Sequence, residues 1–244
     1  MRALGFILLM FVQDISYAAD KYEHLYHIAG WPEQHAHFIA ALRTTQLRYQ
    51  GNLPASLYQV LVTNSNQRFA TQALTQRAIH RLRRDVSDPT SAIRFFESNT
   101  GKQVVQREIQ ATTPQALALY AKGLPTLRVS QTRRVLVQRL AAVLPISEAG
   151  AEVSVALTGV AADSLRQMLP GLGALTHTDG AIEQQRQHIA SQLNRDLLNT
   201  LLFVYRDLTD AQLSEFAEFT ESNAGRVYYQ AALNALRAGL DVTP

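Results

Sequence analysis

Histidine is the residue type best placed to do chemistry in this chain, and four of its seven copies cluster at His24, His27, His35 and His37. His24 and His27 stand three apart and share one face if their segment is helical, as two metal ligands on a helix do. His35 and His37, two apart, diverge on a helix. The chain has no cysteine and no H-E-x-x-H pattern, so the cluster reads as polar groups at or near the surface, and neither a metal nor another cofactor is expected. His80, His177 and His188 stand apart from one another.

Other constellations are also missing. There is no G-x-S-x-G elbow for a serine nucleophile. Gly171-Leu172-Gly173-Ala174-Leu175-Thr176 lacks the third glycine and the preceding strand of a dinucleotide fingerprint. Without cysteine, disulfides and thiolate catalysis are excluded. His80-Arg81-Leu82-Arg83-Arg84, with Arg133, Arg134 and Arg139, concentrates positive charge, which suits helix C-termini or anionic lipid head groups. A net charge of +3 is too small to argue for nucleic acid as a partner.

The strongest signal is a repeat. Phe95-Phe96-Glu97-Ser98-Asn99-Thr100-Gly101-Lys102 returns as Phe219-Thr220-Glu221-Ser222-Asn223-Ala224-Gly225-Arg226, at an offset of 124. Phe69, Leu74 and Ile79 meet Leu193, Leu198 and Phe203 at the same offset. Further upstream the offset is 115, with Leu25, Ile28, Trp31, Glu33 and Leu42 matching Leu140, Val143, Ile146, Glu148 and Leu157. The difference falls at 170–180, which reads as the longest loop. The pattern predicts two tandem homologous multi-helix units, 19–112 and 130–244, joined by a connecting helix and linker over 113–129.

Within the motif, Ser98 and Ser222 suit helix N-caps. Gly101 and Gly225 suit a close approach or an unusual φ. Phe95 and Phe219 are expected as core anchors. Glu97 and Lys102, with their counterparts Glu221 and Arg226, are the candidate binding residues; no catalytic residue is assigned.

The elements that must carry these residues are helices throughout. Apolar residues recur at three-to-four spacing, and no segment alternates long enough to be a strand. Helices are expected at 20–29, from Pro32 towards Tyr49, as one long run from 55 to 84, and after Pro89. A connecting helix is expected from Gln115 to Lys122, followed by helices from Ser130 and Ser147, over 181–205, from Thr209, and around Tyr228. The fold class is all-α, a helical bundle or array. The two units are expected to pack through leftover apolar surface, leaving a ligand-sized cleft between them.

The N-terminus reads as a signal peptide. Arg2 precedes the apolar run Ala3–Val12, and Ser16 and Ala18 are the small residues of a cleavage site, so residues 1–18 are expected to be removed. The run is about half the roughly 20 residues a membrane span needs. The mature chain is therefore expected in the periplasm, or secreted, without a transmembrane anchor.

The segment from Leu208 to Phe216, running into Phe219–Arg226, resembles the bacterial DUF2059 family, whose hallmark reads L-x-x-x-E-L-x-x-x-x-x-F-Y-x-S-P-x-G-K. Gln212, Thr220 and Asn223 replace that pattern's acid, tyrosine and proline. The resemblance implies an exported all-α protein and brings no established activity. The functional expectation is a non-enzymatic envelope protein that binds a protein, peptide or lipid. The alternative is an envelope hydrolase with a carboxylate or histidine site.

Overall fold

Serine and threonine hydroxyls set many of the helix starts. In the computed structural model, which describes residues 13–168 and 179–241, every regular element among the described residues is a helix. The first part of the chain forms α1 (Gln13–Ile28), α2 (Trp31–Gln50), α3 (Ala55–Arg68), α4 (Thr71–Asp85), α5 (Thr90–Glu97) and α6 (Asn99–Ala111), then the short α7 (Pro114–Leu119). It continues as α8 (Gln131–Val143), α9 (Ile146–Met168), α10 (Asp179–Arg195), α11 (Leu197–Val204), α12 (Asp210–Glu221) and α13 (Asn223–Leu240). Ser98, Thr113, Ser130, Thr209 and Ser222 each accept a hydrogen bond from the backbone N–H three residues on. Thr209 and Gln212 close a reciprocal capping box, so Gln212 does the work an acid does at that position.

The all-α expectation holds, with differences in the helix boundaries. The run from 55 to 84 is two helices, not one. Phe69 N–H closes α3 on the Ser65 carbonyl, and the extended Ala70 starts α4. The turn drives the Phe69 ring into the core, edge-on to Phe38 at 5.1 Å. The expected helix over 181–205 likewise breaks at Asp196, between α10 and α11. The connecting helix stops at Leu119, short of Lys122. The predicted loop lies mostly outside the described residues. Of the predicted leader, residues 1–12 lie outside them and residues 13–18 belong to α1.

Two tight corners organise the packing. At α5–α6 an ideal Cβ on Gly101 would lie 2.0 Å from the Phe95 carbonyl oxygen. At α12–α13 one on Gly225 would lie 1.9 Å from the Phe219 carbonyl oxygen. Neither glycine has positive φ, so close approach, not unusual backbone conformation, is what each corner demands. The corners meet face to face: the Phe95 and Phe219 rings stack with centroids 4.0 Å apart and planes 7° apart. Phe96 packs edge-on against Tyr228 at 5.0 Å, and Phe216 lies 5.7 Å from Phe95.

This aromatic seam belongs to one core that also takes in Leu25, Val104, Leu140, Leu201 and Leu213. The seam fills the centre, and the hollow shared by the two parts of the chain lies at the surface, between Arg81 and Asp85 on α4 and Arg226, Gln230 and Asn234 on α13. The halves also exchange partners around it. α4 packs on α13, where Ala78 and Leu82 meet Ala231 and Ala235, and α11 packs on α6. Arg68 and Arg77 donate to the Asp241 and Gly239 carbonyls at the end of α13, placing positive charge where the helix dipole is negative. Glu152 on α9 is fully buried and takes Arg186 Nε at 2.9 Å and Arg237 Nε at 2.7 Å, tying α9, α10 and α13 together. A buried carboxylate needs such partners; removing one leaves an uncompensated charge.

The corners give a direct test. Alanine at Gly101 or Gly225 gains up to about 1 kcal/mol of helix propensity, yet its Cβ collides with a carbonyl that cannot move without opening the corner. Gly101→Ala and Gly225→Ala are each expected to lose about 1–3 kcal/mol net, read as a melting temperature lowered by several degrees. An unchanged or raised melting temperature in both would remove the close-approach explanation.

Candidate functional site

The motif carboxylates lie at the ends of α5 and α12, and each reaches across to a different helix. Glu97 bonds His24 Nε2 on α1 at 2.7 Å. Glu221 takes a two-pronged contact from Arg139 on α8, at 2.9 and 2.7 Å. The hydrogen bond from Arg139 holds the Glu221 carboxyl below its ordinary range, with a further pull from the charge of Arg226. Lys102 and Arg226 are exposed on α6 and α13 and form no ion pair among the described residues. Within each motif the candidate acid and base do not pair with each other. The acids brace α1 and α8, and the bases face solvent.

Arg226 nonetheless sits in a recess. Two adjoining hollows, of about 400 and 550 Å³, share Arg226 and Gln230 as a common ridge. One is edged by Ala142, Val143 and Pro145 at the α8–α9 turn. The other reaches across α13 to Arg81 and Asp85 on α4, with Asn234 between them. Asp85 is held there by Arg81 Nε at 2.7 Å and Asn234 Nδ2 at 2.8 Å. Burial opposes ionisation of Asp85, but these bonds outweigh it and lower its pKa. The side chains of Arg226 and Gln230 make no hydrogen bond among the described residues, so their donors face the trough. The result is an open, mixed surface with an apolar lip, an exposed guanidinium and an amide.

The histidines do not converge. His24 is engaged by Glu97, while His37 bonds the Thr112 hydroxyl at 3.0 Å. His35 is buried, with Nδ1 2.8 Å from the Tyr26 hydroxyl, and burial lowers its pKa to about 4. Among the described residues no group of three or more His, Asp or Glu side chains could hold a metal ion.

A half-buried acid went unnoticed in the sequence. Glu108 on α6 accepts a hydrogen bond from the Tyr205 hydroxyl at 2.7 Å. Tyr205 and Tyr229 crowd the same place, and the buried Tyr229 hydroxyl has no hydrogen-bond partner among the described residues. Burial raises the Glu108 carboxyl to about 7, and the bond from Tyr205 opposes only part of that rise. Only the acid's place among Val104, Val105 and Ile109 hints at this in the sequence; Tyr205 joins it through the tertiary fold. No family model matches the chain, and neither a curated protein nor a solved structure matches it.

Glu108 and His35 give opposite pH signatures. The Glu108 pKa is higher folded than unfolded, so its contribution is greatest below about pH 4.5 and falls as pH rises towards 7. The His35 pKa is lower folded than unfolded, so its contribution is full above about pH 6.5 and is lost as pH falls towards 4. In denaturant titrations Glu108→Gln is expected to gain on wild type by at most about 3 kcal/mol between pH 5 and 8. A Glu108→Gln variant that tracks wild type at a constant offset across that range would contradict the assignment.

Proposed function

We propose that this chain is a duplicated helical unit, 19–112 and 130–244 joined through 113–129, that works by binding in the cell envelope. A corresponding side-chain contact occurs twice in support of the duplication. His24–Glu97 and Arg139–Glu221 join corresponding helices, and their members correspond at the offsets of 115 and 124 that relate the two segments. The stack of Phe95 on Phe219 is what equivalent residues do when they lie beside a two-fold axis. The resemblance to the DUF2059 motif fits this reading, with Asn223 at the first turn of α13, a position where proline is also favoured.

The observation that carries the binding function is the trough over Arg226 and Gln230. It offers an apolar lip at Val143 and Pro145 beside donors that no neighbour satisfies. That combination suits an extended protein or peptide segment carrying an acidic side chain, whose backbone an amide can pair and whose charge an arginine can meet. The leader pattern at 1–18 supports an encounter in the periplasm or outside the cell. A second reading, an envelope hydrolase, is favoured by Glu108, since a carboxyl near neutrality is suited to general acid–base work.

The test is capture from envelope extract by the processed protein, followed by mass spectrometry. The chain is expected to begin at Ala19 and to retain a discrete protein or peptide. Arg226→Glu is expected to reduce retention by about tenfold or more, the loss of one charge-assisted contact, while Glu108→Gln leaves it unchanged. Equal capture by wild type and Arg226→Glu would reject the trough. Hydrolysis of an envelope component that disappears in Glu108→Gln would favour the second reading.

A further inference from the structure

We infer that residues 114–135 form a contact surface for an anionic lipid bilayer. The inference goes beyond the peptide trough and rests on a different part of the molecule. Between Glu108 and Glu148 the chain carries no acidic residue, while Lys122, Arg128, Arg133, Arg134 and Arg139 all fall within it. Two of these arginines are engaged internally: Arg133 pairs with Asp210 at 2.6 Å, and Arg139 with Glu221. Lys122, Arg128 and Arg134 enter no ion pair among the described residues.

The same stretch exposes its large apolar side chains. Leu117 is 55% and Leu119 72% exposed, and α7 has no buried residue. Val135, at the start of α8, is 44% exposed. α7 is held against the body, with the Tyr120 ring edge-on to Phe203 at 4.7 Å, so its leucines are presented from an anchored element. Exposed leucines followed by unpaired cations in a segment without acids match what an anionic bilayer offers. The leucines enter the acyl boundary, and the cations meet the headgroup charge. A protein partner would have to supply its own acidic rim around an apolar patch; the bilayer has both as bulk properties.

No single helix among the described residues is long and apolar enough to cross a membrane. α8 and the first part of α9 pass together on length and composition, but they are bent by 54° and bury Leu136, Val137, Leu140 and Glu152. The proposed contact lies on the surface of the bilayer.

The experiment is co-sedimentation of the purified protein, with the same N-terminus in every variant, with phosphatidylcholine vesicles with and without phosphatidylglycerol. Binding is expected only to the phosphatidylglycerol vesicles and is expected to fall as salt is raised. The double variants Lys122→Glu/Arg128→Glu and Leu117→Ser/Leu119→Ser are each expected to lower partitioning on the order of tenfold or more, with unchanged far-ultraviolet circular dichroism. Arg226→Glu is expected to bind vesicles as wild type does, which separates this surface from the trough. Equal partitioning onto both vesicle types, or wild-type binding by both double variants, would overturn the proposal. So would a dimer that Leu117→Ser/Leu119→Ser dissolves in the absence of any vesicle binding, which would assign the patch to a second copy.

Discussion

The stack of Phe95 on Phe219 is the contact around which the molecule is arranged. It forms because each ring is carried on a helix that ends in a corner too tight for any side chain at the third residue of the next helix. Gly101 and Gly225 permit those corners, while Ser98 and Ser222 satisfy the amide that each corner exposes. Once the corners are set, the rings point at one another, and Phe96, Phe216 and Tyr228 close around them. Aromatic groups of this size dominate the apolar area removed from water, and their mutual geometry adds about 0.5–1.5 kcal/mol per pair. With the centre filled, α4 lies along α13 and α11 against α6, so each half completes its apolar faces on the other.

That arrangement moves function to the outside. With the seam filled, the hollow between α4 and α13 lies at the surface, and buried polar groups such as Glu152 with Arg186 and Arg237 join helices to one another. Two separate surfaces carry exposed polar groups that have no internal partner among the described residues. One is the trough at Arg226 and Gln230; the other is the acid-free connecting stretch with Leu117 and Leu119. On this account the protein meets a membrane with its connector and a partner with α13.

The local features were legible in the sequence because local chemistry decides them. Ser98 and Ser222 read as caps and are caps, and Ser130 and Thr209, read as helix starts, cap as well, since a hydroxyl before a helical run can satisfy an amide one turn ahead whatever the tertiary fold. The break at Phe69–Ala70 was not legible: apolar periodicity carries through it, neither glycine nor proline marks it, and the turn is set by burial of the Phe69 ring against Phe38. The contacts of the motif acids were not legible either, because a helix corner aims Glu97 and Glu221 at α1 and α8, far from them in sequence. Glu108 meets Tyr205 only when α6 and α11 are packed, and no spacing rule joins two residues so far apart in the chain.

The central claim is that the two corners are energetically one unit, and a double-mutant cycle on the stacked rings tests it most directly. Phe95→Leu, Phe219→Leu and the double variant would be compared in denaturant titrations at one pH. The account predicts coupling of about 1 kcal/mol, with the double variant losing less stability than the two single losses combined. Strict additivity of the two losses would contradict it, because rings that stack across the centre of the fold cannot be removed independently.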